Sequence, residues 1–298
     1  LHRRRHSFPT RRSSDLLDQW RRATAFTDAG RHVTLFDGLP QDVGGLAGVV
    51  QGILLHQHIA PAYGVTLKPA QLEEPHLRGV ESMLERIVSH DSSPLFEARP
   101  VAERLAGVCR HFTLMHVAML RTQGVPARAR CGFATYFEKG KFLDHWVTEY
   151  WNKNQERWVL ADAQLDARQR KFLGIDFDPL DVPRDKFLIA GDAWALCRQG
   201  QADPGAFGIL DMFGLWFIAS NVIRDVAALN SHEMLPWDVW GAMTLNDTEL
   251  DLSFVDGIAG LTREPDAHLD ELRRAYEDER IVVPPTVLNA VLNRHEQL

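Results

Sequence analysis

Hydrophobic and polar positions divide this chain into two helical flanks and a central segment of a different character. The apolar side chains of residues 17–99 recur with a mostly helical spacing that several prolines interrupt, and helical spacing returns from residue 176 onward. In the second flank, Asp185 and Asp211 can cap two helices, and the proline pair at 284–285 is expected to open the last one.

The central segment begins with a run, Val101–Arg121, that is apolar on most faces and therefore predicts a buried helix, which Gly124 ends. Three runs rich in aromatic and β-branched residues follow, and the polar turns between them predict an antiparallel meander. The runs are Arg128–Phe137, Trp146–Trp151 and Arg157–Asp162. A buried helix followed by a meander, between helical flanks, predicts an α+β fold in which the helix packs on an antiparallel sheet.

These patterns divide the chain into a basic arm at 1–16, a helical part at 17–100, a core at 101–175, and a helical part at 176–298 that is expected to pack on the core. The arm holds five arginines and one aspartate. As native sequence it could bind nucleic acid or act as a transit peptide. It also resembles translated sequencing-adapter sequence, so we interpret it as non-native and derive no function from it.

The composition is typical of a soluble globular protein, with 45% hydrophobic and 24% charged residues. A formal net charge of −7 gives a nucleic-acid backbone little overall attraction, and the most apolar stretch, 213–223, is too short to span a membrane. Three cysteines among 298 residues cannot form a disulfide framework and suit a reducing compartment. We therefore expect a cytoplasmic protein whose partner is neither a nucleic acid nor a membrane.

One cysteine, one histidine and one aspartate are spaced so that the fold could bring them together. Cys109 lies toward the N-terminal end of the buried helix, where the helix dipole and free backbone N–H groups favour a thiolate and can stabilise an oxyanion. His145 opens the second strand and Asp162 ends the third, so antiparallel pairing can place the two side by side. A thiol nucleophile needs such a base beside it and a carboxylate that orients the base.

The sequence around these three residues resembles the core of the transglutaminase-like superfamily. The resemblance rests on four stretches: Gly107-Val108-Cys109, Gly124-Val125-Pro126-Ala127-Arg128, Asp144-His145-Trp146-Val147-Thr148-Glu149-Tyr150 and Trp158-Val159-Leu160-Ala161-Asp162. It implies a papain-like fold with Cys109 as the nucleophile, His145 as the general base and acid, and Asp162 as the orienting group. It covers only the central part of the chain, and the flanks, where substrate choice usually lies, carry no motif of the family.

Two further pairs of residues are candidates for substrate binding. Arg110 and His111 follow the nucleophile directly and could contact an anionic substrate or adjust the thiol, although an ion pair or contact with solvent would explain them equally well. Trp146 and Tyr150 could form the wall of an acyl-binding cleft or fill the core.

The remaining cysteines and two closely spaced histidines carry weaker signals. Cys131 and Cys197 have no chemical partner at a suitable spacing and are expected to be structural. His56 and His58 could begin a metal site, but no third ligand lies at a useful spacing. The sequence therefore predicts no metal.

The resemblance implies a cysteine-dependent hydrolase or acyltransferase that cleaves an amide bond through an acyl-enzyme on Cys109. The bond could belong to a peptide, an isopeptide or a carboxamide, in a protein, a peptide or a small molecule, and the chemistry requires no cofactor. The alternative is a non-catalytic binding module that keeps the fold. The presence of all three candidate catalytic residues counts against that alternative.

Overall fold

A computed structural model describes residues 17–298, and the predicted arm at 1–16 lies outside the described residues. The described part confirms the α+β class. Its α-helices are α1 (Val43–Ile53), α2 (Val80–His90), α3 (Cys109–Thr122), α4 (Ala167–Leu173), α5 (Ala190–Arg198), α6 (Leu215–Leu229), α7 (Leu252–Arg263) and α8 (Leu269–Tyr276). None of these helices combines the length and the apolar character that crossing a membrane requires.

The strands of the described part form three sheets. They are β1 (Leu54–His56), β2 (Leu105–Gly107), β3 (Ala127–Ala134), β4 (Phe142–Asn152), β5 (Arg157–Ala161), β6 (Phe187–Ile189), β7 (Phe207–Ile209), β8 (Met212–Phe213), β9 (Asp238–Val239), β10 (Thr286–Asn289) and β11 (Arg294–Gln297). Strands β3 to β8 form the central sheet, β1 pairs with β2, and β9 to β11 form a small separate sheet. Short 3-10 helices, the longest at Gly30–Phe36, Gln57–Tyr63 and Pro69–His76, connect the N-terminal elements.

Strand β4 organises the central sheet because its two edges are used differently. One edge pairs antiparallel with β3 from Leu143 to Tyr150. The other edge is divided between two partners: β7 pairs with residues 142–143 and β5 pairs with residues 148–152. On this second edge, residues 144–147 of β4 lie between the segments paired with β7 and β5 and have no partner among the described strands. Other groups can therefore approach the edge of β4 there.

Helix α3 packs on β3 and β4 and is buried along almost its whole length. Its apolar side chains join those of Trp146 and Tyr150 in a core that α1 and α2 complete. His116 of α3 ties these layers together, because Nδ1 lies 3.1 Å from Oγ1 of Thr148 and Nε2 lies 3.2 Å from the carbonyl oxygen of Val43. Burial lowers the pKa of His116 to about 4, so the link is made by a neutral imidazole.

The buried helix predicted over Val101–Arg121 begins later than its pattern indicates. Residues 105–107 form β2, which pairs in parallel with β1, and α3 starts at Cys109. The N-terminal part, predicted to be helical, thus also contributes a strand. A buried strand of three residues has no recognisable period of two, so its sequence cannot be distinguished from a buried helix.

The end of the chain differs from the prediction in a similar way. No helix opens at the proline pair 284–285; the following residues form β10, which pairs antiparallel with β11 and with β9. The helix prediction there is wrong because Thr286 to Asn289 alternate between partly exposed and buried positions, the pattern of a strand. The two helices predicted to be capped by Asp185 and Asp211 are present. Short strands precede them, so they begin later, at Ala190 and Leu215.

A buried network of charges joins the central sheet to the C-terminal helices. Glu149 of β4 accepts from Arg128 and Arg130 of β3, at 2.7 and 2.8 Å. Arg130 also pairs with Asp225 of α6 at 2.8 Å, and Arg128 pairs with Asp266 at 2.8 Å. Burial would raise the pKa of Glu149, but the neighbouring arginines lower it well below its usual value. Helix α6 is therefore attached to β3 by charge as well as by apolar packing.

We expect Glu149→Gln to lower the free energy of unfolding by about 3–5 kcal/mol, because the change leaves two arginines buried with too little negative charge. Urea unfolding at neutral pH measures this effect. Glu271→Gln is the control, since Glu271 forms an exposed pair with Arg274 at 3.8 Å, and its loss should cost less than about 1 kcal/mol. The pKa of Glu149 is depressed, so its contribution is present above the usual glutamate value of 4.5 and is lost as pH falls further. Equal losses in the two variants would contradict this account.

A glycine allows β6 to lie against β3. Gly132 pairs with Ile189 of β6 on one side and with His145 of β4 on the other. A Cβ at this position would lie 2.1 Å from the carbonyl oxygen of Leu188 and 2.8 Å from Cα of Ile189. These are backbone atoms, so relief would require one strand to move.

We expect Gly132→Ala to cost roughly 1–3 kcal/mol of unfolding free energy through overpacking. Gly257→Ala in α7 is the matched control, because a Cβ there would meet nothing within 4 Å and alanine favours a helix. Thermal and urea unfolding of both variants measure the difference. A Gly132→Ala protein as stable as Gly257→Ala would show that β6 does not need this close approach.

Candidate active site

Cys109 occupies the first position of α3, directly after an extended residue. Val108 is the N-cap, with φ −123° and ψ 175°, and its N–H donates to Nδ1 of His111 at 3.2 Å. The N–H groups of Cys109 and Arg110 lie in the first turn, so they cannot reach a carbonyl within the helix. The helix therefore presents partial positive charge and free donors next to the Cys109 sulfur.

Gly107 makes this start of the helix possible. A Cβ at Gly107 would lie 2.9 Å from Cβ and 3.0 Å from Cγ of His111. A larger residue would push the His111 ring away from the N–H of Val108 and disturb the turn that carries Cys109. The short parallel pair β1–β2 holds Gly107 in position opposite His56.

Arg110 and His111, the first pair of predicted substrate contacts, are both completely buried. The guanidinium of Arg110 donates to the carbonyl oxygen of Glu233 through Nε, at 2.9 Å, and through Nη2. Nε2 of His111 lies 3.0 Å from the carbonyl oxygen of Leu77. Burial and the nearby Arg110 charge lower the pKa of His111 to about 3, so its ring is neutral. Both side chains hold interior segments together here, and their contact with a substrate stays a prediction.

His145 and Asp162 meet because β5 leaves the sheet at Asp162. The ladder between β4 and β5 ends at the pair of Thr148 and Ala161. The N–H of Asp162 then donates to the carbonyl oxygen of Pro179 at 2.7 Å instead of to β4. This departure leaves the edge of β4 open beside His145, and Oδ2 of Asp162 lies 2.8 Å from Nε2 of the imidazole.

The imidazole of His145 connects Asp162 to Cys109. Since Nε2 is bonded to Asp162, Nδ1 is the ring nitrogen left to interact with Cys109, which lies near enough to affect the pKa of His145. The structure thus brings the three residues singled out in the sequence into one cluster. Cys109 is 6% exposed, His145 2% and Asp162 1%, so the cluster is almost completely buried, and Cys109 is its most exposed member.

The Asp162 carboxylate controls the charge of His145. Burial alone would lower the pKa of His145, but the charge of Asp162 and the hydrogen bonds to Asp162 and Cys109 outweigh it and raise the pKa to about 10. His145 is therefore an imidazolium at neutral pH, with a proton on each ring nitrogen. A cation in this position favours negative charge on the neighbouring sulfur.

Aromatic rings enclose the imidazole and exclude water from it. The ring centroids of Phe137, Tyr136 and Phe187 lie 4.8, 6.0 and 6.3 Å from that of His145, and all three meet it edge to face. Low water content strengthens the attraction between His145 and Asp162. No sequence motif singled out these three residues, although the aromatic pair 136–137 lies at the end of the predicted strand that precedes His145.

Trp146 and Tyr150, the second pair of predicted substrate contacts, lie in the core between α3 and the sheet. Trp146 is 1% exposed, and its indole N–H is buried without a hydrogen-bond partner in the part of the chain described. The hydroxyl of Tyr150 donates to the carbonyl oxygen of Leu180 at 3.3 Å. These placements match the core interpretation of the two residues, and a part in acyl binding stays a prediction.

His56 lies beside the site, although the sequence associates it only with a weak metal signal. It ends β1, and burial together with the charges of His58, His145 and His111 lowers its pKa well below the usual value, so its ring is neutral. The rings of His56 and His58 are 5.6 Å apart. No group of three or more metal-ligating side chains occurs within residues 17–298.

The other two cysteines lie outside the cluster. Burial raises the pKa of Cys131 well above its usual value and that of the half-buried Cys197 to about 11. Both thiols therefore stay protonated at neutral pH. Of the three cysteines, Cys109 is the one that helps to raise the pKa of His145.

Comparisons with known proteins bear on the same segment. Residues 81–163, which include Cys109, His145 and Asp162, match the family model of the transglutaminase-like superfamily. No curated protein sequence matches the chain. Among solved structures, the chain is similar to a protein from Cytophaga hutchinsonii described as a candidate cysteine protease. The two share 16% sequence identity, with a TM-score of 0.35. The similar region covers 61% of this chain and 48% of that protein. The match thus spans about half the length of that protein.

The family match agrees with the resemblance seen in the sequence, both in the residues it covers and in the order of the three clustered side chains. It indicates cysteine-dependent activity. Residues 81–163 thus form a core of the transglutaminase-like type.

Proposed function

We propose that this protein is a cysteine-dependent hydrolase or acyltransferase that acts on an amide bond through an acyl-enzyme on Cys109. The observation that carries the proposal is the 2.8 Å bond between His145 and Asp162, beside Cys109 at the N-terminus of α3. These residues supply a nucleophile, an acid–base group and an orienting carboxylate, the combination that acyl transfer requires.

In the acylation step, the Cys109 thiolate attacks the carbonyl carbon of the amide, and the carbonyl oxygen takes up the negative charge. The first-turn N–H groups of Cys109 and Arg110 are the donors suited to stabilise that oxygen. The His145 imidazolium gives its Nδ1 proton to the departing amine, the C–N bond breaks, and a thioester remains on Cys109. Asp162 holds the ring in orientation and stabilises its positive charge before the transfer.

In the second step, the now neutral His145 takes a proton from a water molecule or an amine that attacks the thioester. The C–S bond breaks, and the thiolate and imidazolium are restored. Water yields a carboxylic acid, whereas an amine yields a new amide. Both routes use the same three residues, so the acceptor alone decides between hydrolysis and acyl transfer.

The burial of the cluster restricts the acyl donor. Because Cys109 is 6% exposed and His145 is 2% exposed, a carbonyl carbon must reach the sulfur at the end of a slender group. An extended peptide or a carboxamide side chain meets this requirement, and a rigid folded surface does not. We therefore propose an amide-containing peptide, flexible protein segment or small molecule as the partner, in a cytoplasmic setting and without a cofactor.

Intact-mass analysis tests the proposal. The protein is incubated with p-nitrophenyl acetate and with unstructured glutamine-containing peptides, with and without methylamine. We expect an adduct of the acyl mass on Cys109, and we expect Cys109→Ala to abolish it. Cys197→Ser is the control and should keep the adduct, because the half-buried Cys197 thiol lies outside the cluster. A protein that binds the peptides but never forms an adduct would contradict the proposal and support the binding-module alternative.

A second prediction concerns Asp162. Asp162→Asn removes the charge that opposes the effect of burial, so the pKa of His145 should fall and the imidazolium should be lost at neutral pH. We expect Cys109 alkylation by iodoacetamide to require a higher pH, and acylation to slow by roughly 10²–10⁴-fold. Peptide mapping by mass spectrometry follows alkylation against pH.

Asp181→Asn is the matched control, because Asp181 forms an exposed ion pair with Arg157 at the surface. Its alkylation curve should coincide with that of the unmodified protein. Superimposable curves for Asp162→Asn as well, with an unchanged acylation rate and intact circular dichroism, would show that Asp162 merely ends a strand.

A further inference from the structure

We propose that Tyr136 is a positioning residue of this site, which holds the Asp162 carboxylate in place and limits how strongly that carboxylate retains the proton of His145. The proposal rests on the proposed function, because it concerns the acid–base group of the same reaction. Tyr136 lies two residues after β3 ends, in the loop that leads to β4.

Two side chains share one oxygen atom of Asp162. The hydroxyl of Tyr136 donates to Oδ2 at 2.7 Å, and Nε2 of His145 lies 2.8 Å from the same atom. The other oxygen, Oδ1, accepts the N–H of Gln164 at 3.0 Å. The carboxylate is thus held by three donors, and the hydroxyl of Tyr136 draws on the charge that stabilises the imidazolium.

Packing fixes the Tyr136 ring in this position. Its centroid lies 4.7 Å from that of Phe137 and 5.3 Å from that of Phe177. The preceding residue, Thr135, donates through its N–H and its hydroxyl to the carbonyl oxygen of Lys186, at 2.9 and 3.1 Å. The hydroxyl of Tyr136 therefore cannot turn away from Asp162 without disturbing this packing.

Tyr136 remains a hydrogen-bond donor over the whole range in which His145 titrates. Burial, together with the charge and the hydrogen bond of Asp162, raises the pKa of the phenol well above its usual value. The titratable groups that face it are Asp162, Cys109 and His145. Two of these are anionic in the thiolate form of the site, so loss of the phenol proton would add a third negative charge.

The physical consequence follows from the shared oxygen. A carboxylate that accepts a strong hydrogen bond has less charge to offer a second partner, so Tyr136 moderates the effect of Asp162 on His145. Without Tyr136, the imidazolium would be more stable and would give up its proton to the leaving amine less readily. The carboxylate would also lose one of the donors that fix its orientation.

The test uses Tyr136→Phe, which keeps the ring and its packing but removes the donor. We expect the pKa of His145 to rise by about half to one unit, read from the ring signal that His145→Gln removes in a ¹³C or ¹⁵N NMR titration. We expect acylation of Cys109 by an unstructured glutamine-containing peptide, whose leaving amine must take up a proton, to slow by roughly 10-fold at neutral pH. The pH dependence of acylation should shift upward with the pKa of His145.

Tyr63→Phe is the matched control. The hydroxyl of Tyr63 donates to Oδ2 of Asp166 at 2.6 Å, so this variant loses a bond of the same type four residues along the chain from Asp162. We expect it to leave the pKa of His145 and the acylation rate unchanged. A further experiment replaces the four tyrosines of the chain with 3-fluorotyrosine, whose hydroxyl is a stronger hydrogen-bond donor. This replacement should lower the pKa of His145 in the protein that retains Tyr136. It should have no such effect in the Tyr136→Phe variant.

The outcomes separate this inference from the proposed function. An unmodified protein that forms no acyl-enzyme would defeat the proposed function, while the NMR titration would still report on Tyr136. An unchanged pKa of His145 in folded Tyr136→Phe would overturn the inference even if acylation slows, because slowing alone is what a structural role would cause. An equal shift of that pKa in Tyr63→Phe would overturn it as well.

Discussion

The divided edge of β4 is the constraint on which the site depends. A strand in a sheet interior normally pairs along its whole length, because buried backbone groups need partners. Here β7 pairs with residues 142–143 and β5 with residues 148–152, and the chain leaves the sheet at Asp162. The gap between the two partners is where the imidazole of His145 receives the carboxylate of Asp162, so a local break in backbone pairing is filled by a side-chain pair.

The buried charge network keeps that gap in register. Arg128 lies directly opposite Glu149 in the β3–β4 ladder, and Arg130 is two residues further along. A slip of one residue would move Glu149 to the other face of the sheet and leave both arginines buried without their partner. The same register places His145 opposite Gly132, whose missing side chain lets β6 approach. Charge pairing four residues from His145 thus helps to position its imidazole.

The electrostatics of the site follow from burial in two opposite ways. Low exposure makes an isolated charge costly, which keeps His56, His111 and His116 neutral. The same low exposure strengthens the attraction between His145 and Asp162, so this one histidine is charged. One charged imidazole beside Cys109, among several neutral ones, gives the proposed reaction one defined proton donor.

Much of this arrangement was open to prediction from the sequence, because it depends on local patterns. The apolar run before Gly124, the three strand-forming runs and the spacing of Cys109, His145 and Asp162 all lie within short segments, and their resemblance to a known core is confirmed by the family match over 81–163. Tertiary structure decided the rest. Three features depend on where the strands begin and end their pairing. They are the contact of Tyr136 with Asp162, the position of His56 beside the site and the burial of the residues after Cys109. The strands β1, β2 and β10 have only three or four residues, too few for a periodic pattern, and the contacts they bring about join side chains far apart in the chain.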